Sequence, residues 1–168
     1  MKILQSDPAV THIALRTWSG FFALGFGSGL AARAPGTAGT LAAIPLAIPL
    51  LWLPAVVFWP LWTVLAIAGV YWCEKTGQRL GIADPGCIVW DEMIAIWLVL
   101  AMLPFHWTWW LFGFVVFRFF DIFKPWPIRW LEHRVSGGLG VMVDDLLAAF
   151  YSLAVLWLSG WLLNFQSV

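Results

Sequence analysis

Charge is what this chain has least of. Only 11% of its 168 residues are Asp, Glu, Lys or Arg, against roughly 25% in an ordinary soluble domain. With 62% hydrophobic residues and a mean hydropathy of +0.86, the composition excludes a water-soluble globule and indicates an integral membrane protein. Basic excess is also missing. Nine Lys and Arg are matched by nine Asp and Glu, so no basic stripe exists for nucleic acid to bind. Cysteine is scarce: Cys73 and Cys87 have neither a metal-ligand spacing nor a disulfide framework, and both read as small apolar fillers. No Arg follows Cys87 at five or six residues, which excludes a thiolate phosphate loop, and no Asp-x-Asp motif occurs. The amino terminus, "MKILQSDPAVTHIALRTWSG", lacks the continuous apolar core of a signal peptide. Internal repeats, a soluble domain and low-complexity tails are absent too, so residues 1–168 read as one membrane-embedded domain with residues 1–19 as a cytoplasmic tail.

What the chain does have is long uncharged runs, at residues 34–73, 93–117 and 146–168. A helix needs about 20 residues to cross the hydrocarbon of a bilayer. The first run therefore holds two spans and the last holds one. "LPFHW" at Leu103 to Trp107 divides the middle run, and two helices fit there only if each carries charge at its far end. The first must take Asp91 and Glu92 into its early turns; the second must run through Arg118 and Asp121 until Lys124-Pro125 stops it. The expected fold is an all-α bundle of about five hydrophobic helices, near 38–53, 55–73, 87–103, 107–123 and 145–163. The Gly-rich "GFFALGFGSGLAARAPGTAGT" reads as a short amphipathic or re-entrant piece before them. In this arrangement every charged residue lies on one side, opposite the carboxyl terminus. The positive-inside tendency makes that side cytoplasmic.

Carboxylates inside helical turns need a reason, since an Asp near the bilayer centre costs about 2.5–3.5 kcal/mol. Asp84, the pair Asp91 and Glu92, Asp121, and the pair Asp144 and Asp145 all converge on the charged side. Hard oxygen ligands without His or Cys suit Mg2+ better than zinc. Neighbours on a helix point about 100° apart, so one member of each pair is expected to face the metal while the other caps a helix or holds a base. A set of helix N-caps is the competing explanation, but capping needs one acid per helix and not two. In "FRFFDIFKPWPIRW", Arg118, Asp121 and Lys124 fall at three-residue steps on one face; this is either an interfacial ion-pair ladder or a metal ligand flanked by phosphate-binding cations. "APGTAGTLAAIPL" offers Gly36, Thr37, Gly39 and Thr40 at a helix start, a cradle for an oxyanion or simply a capped turn. His133 reads as a solvated loop residue.

Taken in order, "GFGSG", "PGTAGTLAAIP", "IVWDE", "FRFFDIFKPWPIRW" and "GGLGVMVDDLLAA" resemble the phosphatidylglycerophosphatase A family over roughly residues 20–160. The resemblance implies an Mg2+-dependent enzyme of the bacterial inner membrane whose partner is a phospholipid. Its implied reaction hydrolyses the terminal phosphomonoester of phosphatidylglycerophosphate to phosphatidylglycerol and phosphate. The family motif falls on Thr37, Gly39, Asp91, Glu92, Arg118, Asp121, Lys124, Pro125, Gly137, Gly138, Asp144 and Asp145, with Asp84 in a second tier. Glu92, Asp121, Asp144 and Asp145 are thereby implied to be catalytic, and Arg118, Lys124, Thr37 and Gly39 to bind the substrate phosphate. The implied metal ligands are Asp91, Glu92, Asp121, Asp144, Asp145 and Asp84. Arg33 and His133 stand where the family carries other residues, and neither receives a role.

Two other classes fit the acidic helices. A small cation channel or transporter would place acids at mid-membrane depth or on both faces, whereas here they gather on one side. A CDP-alcohol phosphotransferase also collects Asp around metal, but the spaced Asp, Gly, Ala and Arg signature of that family is missing.

Overall fold

In the computed structural model, residues 8–82, 84–132 and 134–162 are described, and all regular structure among them is helical. His133 lies outside the described residues. The chain opens with α1 (Pro8–Arg16) and α2 (Trp18–Ala23), joined at Thr17, whose hydroxyl accepts from the Gly20 N–H at 3.1 Å. This is an N-cap that starts the second helix. Val10 and Ala14 of α1 are buried. The expected amino-terminal tail is thus, from residue 8 onward, a packed helical hairpin. A 3-10 helix (Gly25–Leu30) follows, with Phe26 and Gly27 in the left-handed region. It brings the chain onto the segment around Cys87, where the Val89 N–H donates to Ala23 O at 2.9 Å.

The apolar helices come next. α3 (Pro35–Leu51) starts with Pro at its first position, where the missing N–H costs nothing. α4 (Ala55–Leu80) outruns its expected end at residue 73 because Glu74, Lys75, Gln78 and Arg79 continue the helix as a polar extension; Gly81, at φ 69°, then stops it. The Gly81 and Ile82 N–H groups close that end on Gln78 O and Gly77 O, as a left-handed C-cap does. α5 (Trp90–Ala101) is shorter than the expected 87–103, and at 12 residues it is about 18 Å long, less than the roughly 30 Å of hydrocarbon. It is buried along nearly its whole length and packs against α3 and α4, which shield it.

α6 (Trp107–Phe123) matches its expected bounds, ending where Lys124 takes a left-handed conformation just before Pro125. A short α7 (Ile128–Glu132), anchored by the fully buried Ile128, was not anticipated. α8 (Gly137–Leu162) begins eight residues before the expected 145. Its start is fixed by Glu74, which accepts from the Gly138 N–H at 2.6 Å. Asp144 and Asp145 are therefore not helix caps but lie about two turns inside. α8 also packs on α4, α5, α6 and α7.

Among the described residues two helices are long and apolar enough to cross a membrane: Ala55–Leu80 and Gly137–Gly160. The core runs between α5 and its neighbours, with Met93, Ile94, Ile96, Leu100, Phe117 and Met142 almost fully enclosed. One tight seam lies between α3 and the start of α5. A Cβ on Gly39 would collide with the Val89 side chain, so this glycine sets the helix separation there. Gly39→Leu is expected to lower stability by roughly 1–3 kcal/mol, measured as thermal unfolding in detergent; an unchanged midpoint would show that the seam has slack.

Candidate active site

The site is assembled from the start of α3, the first turn of α5, the last turns of α6 and the third turn of α8. All four meet at one end of the molecule. Trp90 holds α5 in register by donating its indole N–H to Leu65 O at 3.2 Å. The next two residues, Asp91 and Glu92, are carried inward with it. From α8, Asp145 points to the same place: ligand oxygens of Asp91, Glu92 and Asp145 all lie within 4.8 Å of one another. Asp91 is 8% exposed and Asp145 only 3%.

These three carboxylates are left open. Asp91 Oδ1, Glu92 Oε2 and Asp145 Oδ2 are buried and have no hydrogen-bond partner among the described residues. Burying even one charge uncompensated costs several kcal/mol, and three at this separation also repel one another. A hard divalent cation relieves both penalties, because carboxylate oxygens are its preferred ligands. The all-oxygen donor set therefore suits a hard divalent cation better than zinc, which favours His and Cys.

Around this cluster the other acids are already committed to cations. Arg118 pairs closely with Asp121, reaches Glu92 Oε1 at 3.4 Å, and donates to the Thr40 hydroxyl at 3.4 Å. Thr40 is fully buried and donates in turn to Gly36 O at 2.8 Å. A side chain on Gly36 would collide with Glu92 and crowd Arg118, so only glycine lets α3 approach this closely. Lys124 pairs closely with Asp144 and reaches Glu132 at 3.0 Å. Burial alone would lower its pKa, but the contacts with Asp144 and Glu132 outweigh that and hold the ammonium above its ordinary value. Among the described residues every ion pair is one of these four, Arg118 with Glu92 and Asp121, and Lys124 with Glu132 and Asp144.

The predicted residues thus sort into layers. Asp91, Glu92 and Asp145 form the open cluster, Asp121 and Asp144 hold the cations that flank it, and Asp84 lies exposed on the α4–α5 loop. Asp84 is near enough for the charges of Lys124, Glu132 and Asp121 to act on it. In the pair Asp144 and Asp145, Asp145 joins the cluster while Asp144 holds Lys124. In the pair Asp91 and Glu92 both join it, and Glu92 touches Arg118 as well. Thr37 is half-buried in the first turn of α3, where helix N–H groups are unpaired. Gly39 instead faces Val89 and serves packing. Glu132 escaped notice because a Pro-rich turn separates it from Lys124 and breaks any helical spacing between them. Cys87 is no nucleophile: burial, reinforced by Asp84, pushes its thiol up to about 11 although a backbone hydrogen bond works the other way.

Mg2+ is expected to raise the unfolding temperature of the metal-free protein by roughly 5–10 °C at a hundredfold excess over Kd. Asp145→Asn should abolish most of that rise. An undiminished shift in this variant would place the cation elsewhere.

Comparison with known proteins agrees with the motif-level resemblance. Residues 21–159 match the family described as "PgpA: Phosphatidylglycerophosphatase A". The chain is 44% identical over 161 residues to phosphatidylglycerophosphatase A of Escherichia coli K12, covering 93% of this chain and 91% of that protein. It is 47% identical over 135 residues to the protein of the same name from Haemophilus influenzae, covering 79% and 83%. A Bacteroides thetaiotaomicron relative, 37% identical over 153 residues and covering 83% and 92%, carries a provisional name as a phosphatidylinositol-3-phosphatase. No solved structure matches. The two long apolar helices suggest a membrane protein. With its motifs, its acidic cluster and its match over most of its length, the chain belongs to the phosphatidylglycerophosphatase A family.

Proposed function

We propose that this protein is a phosphatidylglycerophosphatase that uses Mg2+ to remove the terminal phosphate of phosphatidylglycerophosphate. The observation that carries this reading is the open cluster of Asp91, Glu92 and Asp145 beside the Arg118 guanidinium. It pairs a seat for a dication with a donor for phosphate oxygens. In the reaction a water oxygen bonds to phosphorus, the P–O bond to the glycerol breaks, and phosphatidylglycerol and phosphate leave. Bound Mg2+ would neutralise phosphoryl oxygens and lower the pKa of a water.

The chain's own residues would do the rest. Asp91, Glu92 and Asp145 hold the cation. Arg118, locked by Thr40, Glu92 and Asp121, presents a planar guanidinium that suits phosphate oxygens. Lys124, steadied by Asp144 and Glu132, supplies a point charge on the other flank. Charge spreading over the non-bridging oxygens in the transition state is met by cations already in place. Thr37 N–H at the start of α3 is a further donor to the same phosphate. The acids gather at one end of the helices and do not form a file along them, which suits a surface reaction better than an ion path.

Our reading of the membrane arrangement follows the same logic. The five apolar helices, α3, α4, α5, α6 and α8, form a multi-pass bundle in the bacterial inner membrane, with the site on the cytoplasmic face. A lipid headgroup reaches the site there while its acyl chains stay among the exposed apolar side chains.

Purified protein is expected to release phosphate from phosphatidylglycerophosphate, to stop in EDTA and to recover with Mg2+. Turnover should be much slower on phosphatidylinositol 3-phosphate, and the reverse preference would assign the other substrate. Asp121→Asn should insert normally yet lose about a hundredfold in rate. Activity indifferent to chelation would remove the metal mechanism, and full turnover in the variant would leave Asp121 a structural ion-pair partner.

A further inference from the structure

Beside the acidic cluster lies a second, cationic recess. A groove of about 400 Å³ is lined by Phe123, Lys124, Pro125, Trp126, Arg129 and Trp130. Lys124 belongs to both places, since its ammonium pairs with Asp144, the neighbour of Asp145. The two basic residues of the groove differ in one respect. Lys124 is balanced by Asp144 and Glu132. Arg129 has no carboxylate partner among the described residues; its one hydrogen bond goes to Phe123 O at 3.1 Å. That bond holds the guanidinium against the end of α6 and leaves most of its five N–H donors free.

The walls are aromatic. Phe123, Trp126 and Trp130 are 60%, 78% and 46% exposed, and the frame beneath them is fixed. Ile128 is fully buried, and the Tyr151 hydroxyl donates to Trp126 O at 3.4 Å. Indole rings around a cation are the pattern of a lipid headgroup boundary, and Arg134, stacked 4.4 Å from the Trp130 ring centroid, extends the positive surface. Within the lining of the groove itself, which Arg134 does not join, Arg129 supplies one unspent positive charge, and one such charge matches one negative charge. A phosphomonoester carries up to two and belongs with the dication cluster, whereas a phosphodiester carries one.

The geometry points to this groove as the seat of the internal phosphodiester of the lipid substrate, with Arg129 as the residue that selects for it. The inference rests on the function proposed above, because it requires a substrate in which one glycerol separates a diester from the terminal monoester. Lys124 then stands between the two phosphates, and Trp126 and Trp130 flank the backbone glycerol. A lipid whose terminal phosphate is not preceded by a diester leaves Arg129 without a ligand.

The test compares wild type, Arg129→Gln and Arg129→Lys in detergent with Mg2+. The expected result for Arg129→Gln is a KM for phosphatidylglycerophosphate raised about tenfold or more, as loss of one charge-assisted contact implies. Its kcat should change much less, and inhibition by inorganic phosphate, which fills only the monoester site, should stay within about twofold. Arg129→Lys should recover part of the lost affinity. An unchanged KM, or a raised KM accompanied by comparable losses of kcat and of phosphate inhibition, would overturn the proposal, the latter by showing that Arg129 merely props Lys124 through Phe123. Failure of the wild type to hydrolyse this lipid would instead overturn the substrate assignment on which the inference rests.

Discussion

Three carboxylates that face one another, with only Glu92 touching a cation, Arg118, are the constraint from which the rest of this molecule follows. Asp91, Glu92 and Asp145 lie close enough to share one cation and have open oxygens buried away from water. Such a cluster destabilises the apo fold by desolvation and repulsion, and the surroundings are arranged to contain it. α5, which supplies two of the acids, is the most enclosed helix of the core. Gly36 lets α3 close on Glu92 and Arg118. Glu74 fixes the start of α8 and thereby the depth of Asp145. The packing that looks like ordinary core construction is also what sets the spacing of the acids.

Around the cluster the charges form a graded shell. Asp121 and Asp144 are spent on Arg118 and Lys124, so the cations next to the open acids are oriented before any ligand arrives. Preorganised donors of this kind need no rearrangement when charge develops on a phosphoryl group. Removing Asp121 or Asp144 would act chiefly by freeing a cation, whereas removing Asp145 would act on the cation seat itself. Asp144 and Asp145 thus divide their labour, and the division follows from helical geometry: adjacent residues point in different directions.

Much of this was legible in the sequence, where charge-free runs end in acids and stop at Lys124-Pro125. What was not legible traces to contacts between distant segments. The early start of α8 depends on Glu74, more than sixty residues upstream, and "SGGLGVMV" reads as a loop without it. The polar end of α4 looked like the end of a span, but a helix outlasts the lipid when Glu74 and Gln78 pair along it at 2.6 Å. Gly39 matched a phosphate cradle by composition, yet its lost side chain makes room for Val89. Spacing could not separate those two uses of glycine. Glu132 was hidden by the turn at Pro125 and Pro127, beyond which no helical periodicity carries over.

The position of the dication decides whether Asp91, Glu92 and Asp145 are its seat. Anomalous diffraction from crystals of the protein grown with Mn2+ in place of Mg2+ would locate it directly. The account predicts a peak at ligand distance, about 2.1 Å, from oxygens of Asp91, Glu92 and Asp145. A peak bound instead by Asp121 and Asp144, or none near the three carboxylates, would contradict it.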